Sequence, residues 1–149
     1  MSIKIFCDIA DLNLIKKFNK KKIVKGFTTN PSLMRKAGAK NYKAYSKQIL
    51  KACKSKPISF EVFADNNKSM IDQGIKINTW GKNIYVKVPV VNSKKQFTGK
   101  VIKNLNTIIF CDISELDQIK KFNKKKIVKG FTTNPSIIRK AVAKDYKSY

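Results

Sequence analysis

The feature that most constrains this chain is that it repeats itself. Ile5–Tyr45 aligns without gaps on Ile109–Tyr149, and 32 of the 41 positions are identical. At the centre of the match the string IKKFNKKKIVKGFTTNPS occurs twice, at Ile15–Ser32 and at Ile119–Ser136. Repeats of long standing in barrels and solenoids diverge much further. Near-identity points instead to a recent tandem duplication, a frame fusion or an assembly error in the sequence. The second copy stops at Tyr149, where the first still runs onward through Ser46, Gln48, Ile49 and Leu50, so the chain reads as ending in mid-element.

Hydrophobic periodicity divides the chain into strands alternating with helices. Strands are expected at Ile3–Ile9, Ile23–Thr28, Pro57–Phe63 and Asn83–Val90. A helix is expected at Asp11–Lys20, with Leu12, Ile15 and Phe18 on one face. A second helical region opens at Asn30-Pro31-Ser32, with Asn30 as cap and Pro31 at the first position, and runs to about Cys53 with a break near Gly38. Helices at Asn67–Asn78 and Lys94–Leu105 follow, the latter with Phe97, Val101, Ile102 and Leu105 as its apolar stripe. The repeat then adds a strand at Ile108–Ile113, a helix at Glu115–Lys124 and a strand at Ile127–Thr132. Such alternation argues for βαβ units and a parallel sheet. The expected fold is α/β, a partial TIM (β/α)₈ barrel of about six parallel strands alternating with helices and not closed, against the eight strands of a full barrel. Residues 1–106 would hold strands one to four. Residues 107–149 would be a truncated copy of the first β-α-β segment, residues 3–45, with its first strand lying parallel beside Asn83–Val90.

Thirty-three basic residues against nine acidic ones give a net charge of +24. Only Arg35 and Arg139 are arginines, whereas nucleic-acid readers lean on arginine for bidentate contacts. Lysine spread over every polar helix face suits a solvated surface better than a dedicated nucleic-acid face. Salt-sensitive, nonspecific attraction to polyanions is still expected. No apolar run approaches the roughly 20 residues of a membrane span. The opening MSIKIFCDIAD carries an acid directly after a short apolar stretch and does not read as a signal peptide. Cys7, Cys53 and Cys111 show no CxxC spacing, and there is no histidine. They read as reduced thiols in a cytoplasmic protein, with no metal site.

Two of the few acids, Asp8 and Glu61, sit inside apolar strand runs, where a carboxylate is costly unless paired. The bland readings are a capping acid past the strand for Asp8 and an outward edge residue for Glu61. Lys87, in NIYVKVPVV, shares a strand face with Tyr85 and Pro89, opposite Val86 and Val88. A lysine held dry there would lose its proton more readily and become a nucleophile; the bland reading is a lysine snorkelling at a sheet edge. Lys4 and Lys25 lie in strands too, so strand location alone does not decide. Asn30 closes GFTTNPS, where two hydroxyls and an amide precede a helix start, suited either to substrate oxygens or to plain capping. All four fall at the carboxyl ends of strands one to four, the face that carries the active site in barrel enzymes.

At FCDIAD (Phe6–Asp11), GFTTNPS (Gly26–Ser32), FEVFA (Phe60–Ala64) and YVKVPV (Tyr85–Val90), in this order and spacing, the chain resembles the transaldolase family, including its fructose-6-phosphate aldolase-like branch. The resemblance covers about residues 3–105 and then restarts. It implies that Lys87 forms a Schiff base with a ketose phosphate, that Asp8 handles the proton of carbon–carbon cleavage, and that Glu61 assists imine chemistry through a water. Asn30 and Thr29 would hold substrate hydroxyls. Asp112 and Asn134 are second copies of Asp8 and Asn30 without an assigned role, and Lys87 has no second copy. The family activity is transfer of a dihydroxyacetone unit between sugar phosphates, in the pentose phosphate pathway, or simple aldol cleavage, with no metal or organic cofactor. The resemblance implies a sugar phosphate as partner, with no membrane and no specific nucleic acid; homo-oligomers stay open. Two alternatives stand beside it: a catalytically inactive remnant of the family and, less favoured, a basic nucleic-acid-binding protein.

Overall fold

The computed structural model describes residues 4–94, 96–105, 109–112, 119–120, 124 and 130–132. Strands and helices alternate as the periodicity predicts: β1 (Ile5–Asp8), α1 (Leu12–Asn19), β2 (Val24–Thr28), α2 (Pro31–Lys36), α3 (Tyr42–Ala52), β3 (Ile58–Glu61), α4 (Asn67–Asn78), β4 (Ile84–Pro89), α5 (Gly99–Asn104), β5 (Ile109–Asp112) and β6 (Gly130–Thr132). Helix starts are written locally. Asp11, Asn30, Asn41 and Asn66 each accept a hydrogen bond through the side chain from the amide three residues on. Each thereby satisfies one of the amide donors that a helix start leaves orphaned. Gly38, at φ 88°, supplies the left-handed residue between α2 and α3 where the sequence placed a break.

All six strands join one sheet in chain order, β1 to β6, and every pairing is parallel. Among the described residues β1 and β6 are its two end strands, so the sheet is open, a partial barrel. β5 lies beside β4 as the sequence predicted, with Val86 opposite Ile109 and Val88 opposite Cys111. Of the expected helix at Glu115–Lys124, Ile119, Lys120 and Lys124 are helical; its other residues, and Asn134, lie outside the described residues.

Strand alternation sorts the side chains onto two faces. One face carries Phe27, Ile58, Phe60, Val62, Val86 and Val88, all buried. Against them pack Ile15, Met34, Ile49, Met70, Ile77 and Ile102 from the helices. Each such side chain contributes about 1.5–3 kcal/mol relative to exposure. The other face is polar and holds Asp8, Thr28, Ser59, Glu61, Tyr85 and Lys87, which the parallel registers set side by side.

One element departs from expectation. The helix predicted at Lys94–Leu105 begins only at Gly99. Polar groups capture the backbone before it: Asn92 and Gln96 exchange hydrogen bonds, the Asp65 carboxylate accepts from the Ser93 amide and hydroxyl, and Val91 bridges Phe97. Side-chain bonds to the backbone, near in sequence at Asn92–Gln96 and distant at Asp65–Ser93, compete with helix. They also hold the Asp65 carboxyl below its usual range. Phe97, expected in the apolar stripe, lies before the helix and is 44% exposed.

β1 and β2 approach closely because residue 26 has no side chain. A Cβ there would run into the Phe6 ring and come within 2.8 Å of the Pro57 carbonyl oxygen. The oxygen belongs to backbone that also accepts the Phe27 amide, so it cannot step aside. Gly26→Ala is therefore expected to destabilise the fold by about 1–3 kcal/mol. Urea denaturation checks this, and an unchanged midpoint would mean that the two strands can part without loss.

Candidate active site

The polar face carries a lysine that the fold buries. Lys87 is 2% exposed, although it lies in the same strand as Val86 and Val88, which fill the opposite face. The register sets Glu61 directly beside it, and the Glu61 Oε2 to Lys87 Nζ distance is 3.6 Å. Two opposed effects act on this amine. Burial disfavours the ammonium, and the adjacent carboxylate favours it. An ion pair so placed is costly to desolvate and is weak evidence of stability alone.

Glu61 is held by Tyr42, the first residue of α3. The Tyr42 hydroxyl donates to the Glu61 carbonyl and accepts from the Glu61 amide, both at 3.0 Å. This fixes the end of β3 to the first turn of α3. Burial pushes the Tyr42 phenol well above its ordinary value, with the Glu61 carboxylate adding to the rise and the backbone hydrogen bond opposing it. The Tyr42 ring is also clamped edge-on between Phe63 and Trp80.

Asp8 ends β1 and is exposed. Its Oδ1 accepts the Thr28 hydroxyl at 2.7 Å, across the Asp8–Thr28 register pair. Thr28 rather than Thr29 thus shares the face of Asp8. Thr29 is fully buried, and its hydroxyl donates to the Ser59 carbonyl at 2.8 Å. The Asn30 carboxamide oxygen accepts from the Leu33 amide, so Asn30 caps α2; its NH₂ group is the end suited to a substrate oxygen. Asp112 stands opposite Pro89 in the β4–β5 register. Ser59 was not foreseen either. Its hydroxyl oxygen is buried and has no hydrogen-bond partner among the described residues, on the face of Glu61 and Lys87. The signal for Thr28 and Ser59 was present in the period of two from Asn30 and Glu61.

Among the described residues, two clefts open at the carboxyl ends of the first strands. One, of about 240 Å³, is lined by Asp8, Asp11, Leu14, Leu33 and Lys36 among others. The other, of about 360 Å³, is lined by Pro31, Met34, Arg35, Lys40, Tyr42 and Phe63 among others. Lys87 lines neither. Among the described residues no group of histidine, cysteine or carboxylate side chains could hold a metal ion, and no helix is long and apolar enough to cross a membrane. Cys7 and Cys53 are free thiols, and burial raises the Cys53 thiol above its usual range.

Comparison with known proteins gives a consistent result. The family described as transaldolase/fructose-6-phosphate aldolase matches residues 5–107 and, separately, 109–149. A probable transaldolase of Sulfurihydrogenibium sp. (strain YO3AOP1) is 36% identical over 112 residues, 72% of this chain and 51% of that protein. A probable transaldolase of Nitrosopumilus maritimus (strain SCM1) is 42% identical over 88 residues, 59% of this chain and 39% of that protein. One from Herpetosiphon aurantiacus is 37% identical over 112 residues, covering 72% and 50%. The chain thus spans about half the length of the curated relatives it matches. With strands, registers and family match in agreement, this chain belongs to the transaldolase/fructose-6-phosphate aldolase family.

Proposed function

We propose that the protein acts in aldol chemistry on sugar phosphates, moving a dihydroxyacetone unit through a Schiff base on Lys87, with residues 1–106 as the first half of a barrel and 107–149 as a repeat of its opening segment. The observation that carries this reading is the burial of Lys87 beside Glu61 on the polar face. The neutral Lys87 amine adds to the ketose carbonyl, water leaves, and an iminium forms. Glu61, acting through a water, moves the protons of that step and of the later hydrolysis. The iminium draws electrons from the adjacent carbon–carbon bond as it breaks, and the hydroxyl proton of the departing aldose passes to Asp8. The enamine left on Lys87 then adds to an aldose phosphate, or is protonated and hydrolysed. Asn30 binds substrate hydroxyls through its NH₂ group. Thr29, with its hydroxyl on the Ser59 carbonyl, shapes the site from beneath. Every step uses side chains and water, so no metal or organic cofactor is invoked. The free thiols of Cys7 and Cys53 support a cytoplasmic setting, and the proposed transfer between sugar phosphates would belong to pentose phosphate metabolism.

Borohydride reduction in the presence of fructose 6-phosphate tests the covalent step. The expected outcome is a reduced sugar adduct on the peptide containing Lys87, absent from Lys87→Met. A folded wild-type chain that acquires no adduct at Lys87 defeats the proposal and leaves the inactive remnant. Glu61→Gln should retain the fold and slow adduct formation by about 10²–10⁴-fold, measured by quenched mass spectrometry. Equal trapping rates would remove Glu61 from proton transfer.

Tyr42→Phe removes both hydrogen bonds to Glu61 and should cost about 1–3 kcal/mol. The raised phenol value fixes the sign of any pH effect. The protonated form is the one the fold favours, so its contribution is complete below the unfolded value of about 10 and fades only above it. The stability difference between Tyr42→Phe and wild type is therefore expected to be flat from about pH 6 to pH 9. Urea titrations across that range check it, and a slope would mean that the phenol ionises lower than the packing implies.

A further inference from the structure

The β4 edge accepts one particular strand sequence. β5 reads IFCD, letter for letter the sequence of β1. β6 reads GFT, the last three residues of β2. In chemical terms the order β4-β5-β6 is β4 followed by a β1-β2 unit. The chain therefore contains two segments with the sequence that fits this edge. One of them, β5-β6, fills it in cis. The other, β1-β2, stands at the far end of the sheet.

We propose that the β4 edge is an exchangeable socket, filled by β5-β6 of the same chain or by β1-β2 of a second copy, and that two copies joined in this way close an eight-stranded barrel. The order would be β1-β2-β3-β4 of one copy followed by β1-β2-β3-β4 of the other, with the last β4 meeting the first β1. Both junctions are the same pairing, as two-fold symmetry requires. Eight strands is also the count at which a parallel barrel encloses an interior that side chains can fill. The backbone of β1 is oriented for this. The Ile9 amide donates to the Thr28 carbonyl, so by strand alternation the Asp8 amide points away from β2, toward an incoming strand.

Exchange would keep the same residues around the lysine. In the cis arrangement Lys87 is opposite Phe110 and Pro89 opposite Asp112. The identical register in trans puts Asp8 of the second copy in that position, one pleat along from Lys87 on the same face. Glu61 then flanks the lysine on one side and Asp8 of the second copy on the other. The tethered repeat competes at an effective concentration of roughly millimolar, and two chains of +24 each repel. Isolated chains at low salt therefore stay in the cis form, and raised salt favours exchange. This inference rests on strand identity and register. It stands or falls separately from the chemistry assigned to Lys87.

Cys111→Asp in the full chain tests it, because a carboxylate at the register position of buried Val88 disfavours β5 in the sheet. Light scattering at micromolar concentration should give wild type at the single-chain mass of 17.0 kDa and the variant at twice that. Amide exchange at Asp8 should slow at least tenfold in the variant. A variant that keeps the single-chain mass overturns the proposal, as does a doubled mass without protection of the Asp8 amide. A second measurement avoids any folding defect of the variant. Wild-type chains with light and heavy isotopes, mixed at about millimolar concentration in raised salt and read by native mass spectrometry, should form mixed pairs. Single chains alone under those conditions overturn the proposal too.

Discussion

Everything at the candidate site depends on the parallel register of β3 and β4, which sets Glu61 opposite Lys87. Because side chains alternate in a strand, a slip of one residue would exchange faces. Lys87 would move in among the helices, and Val86 or Val88 would take its place on the polar side. The helix-facing core prevents such a slip. Ile58 and Phe60 on β3, and Val86 and Val88 on β4, are fully buried against α3, α4 and α5. The apolar face thus sets the geometry of the polar one, and the lysine is placed by side chains that lie on the opposite side of the sheet.

A buried lysine and a neighbouring carboxylate would be a poor way to stabilise a sheet. Desolvating both groups can cost more than their attraction returns. The fold nevertheless invests several contacts in this arrangement. Tyr42 grips both backbone polar groups of Glu61, Phe63 and Trp80 hold the Tyr42 ring, and the Ser59 hydroxyl is buried nearby without a partner among the described residues. Local arrangements that cost stability and are held by their surroundings concentrate at functional sites. That is the physical reason for reading this face as chemical, and it is independent of the family match.

Much of this was legible in the sequence. The strand–helix alternation, the Asn30 cap and the break at Gly38 follow from periodicity and turn chemistry, which are local properties, and the placing of the repeat beside β4 follows from the sequential strand order of a barrel. The opposed faces of Lys87 and Val86 follow from the period of two. What was not legible depended on contacts between distant segments. Tyr42 reads as one more apolar position of a helix, because nothing nearby in sequence reveals that its hydroxyl reaches Glu61, 19 residues on. The late start of α5 likewise depends on Asp65 capturing Ser93 from 28 residues away. Thr28 and Thr29 are adjacent and chemically equal; only the register with Asp8 and Ser59 separates one as facing the site and the other as part of the sheet's support.

The repeat changes what an open sheet means for this family of folds. A parallel strand at the end of a sheet exposes amides and carbonyls that must find partners, and a barrel is one way to remove such ends. Here β4 is followed by a strand whose sequence already belongs to the fold, so its edge is satisfied by a copy of the chain's own beginning. IFCD in β5 is the same four-residue sequence that β1 carries at the other end of the sheet. Strand recognition in a parallel sheet is therefore local enough to be reused. A segment adapted to start a barrel can equally continue one, provided its alternation keeps the apolar residues on the helix side.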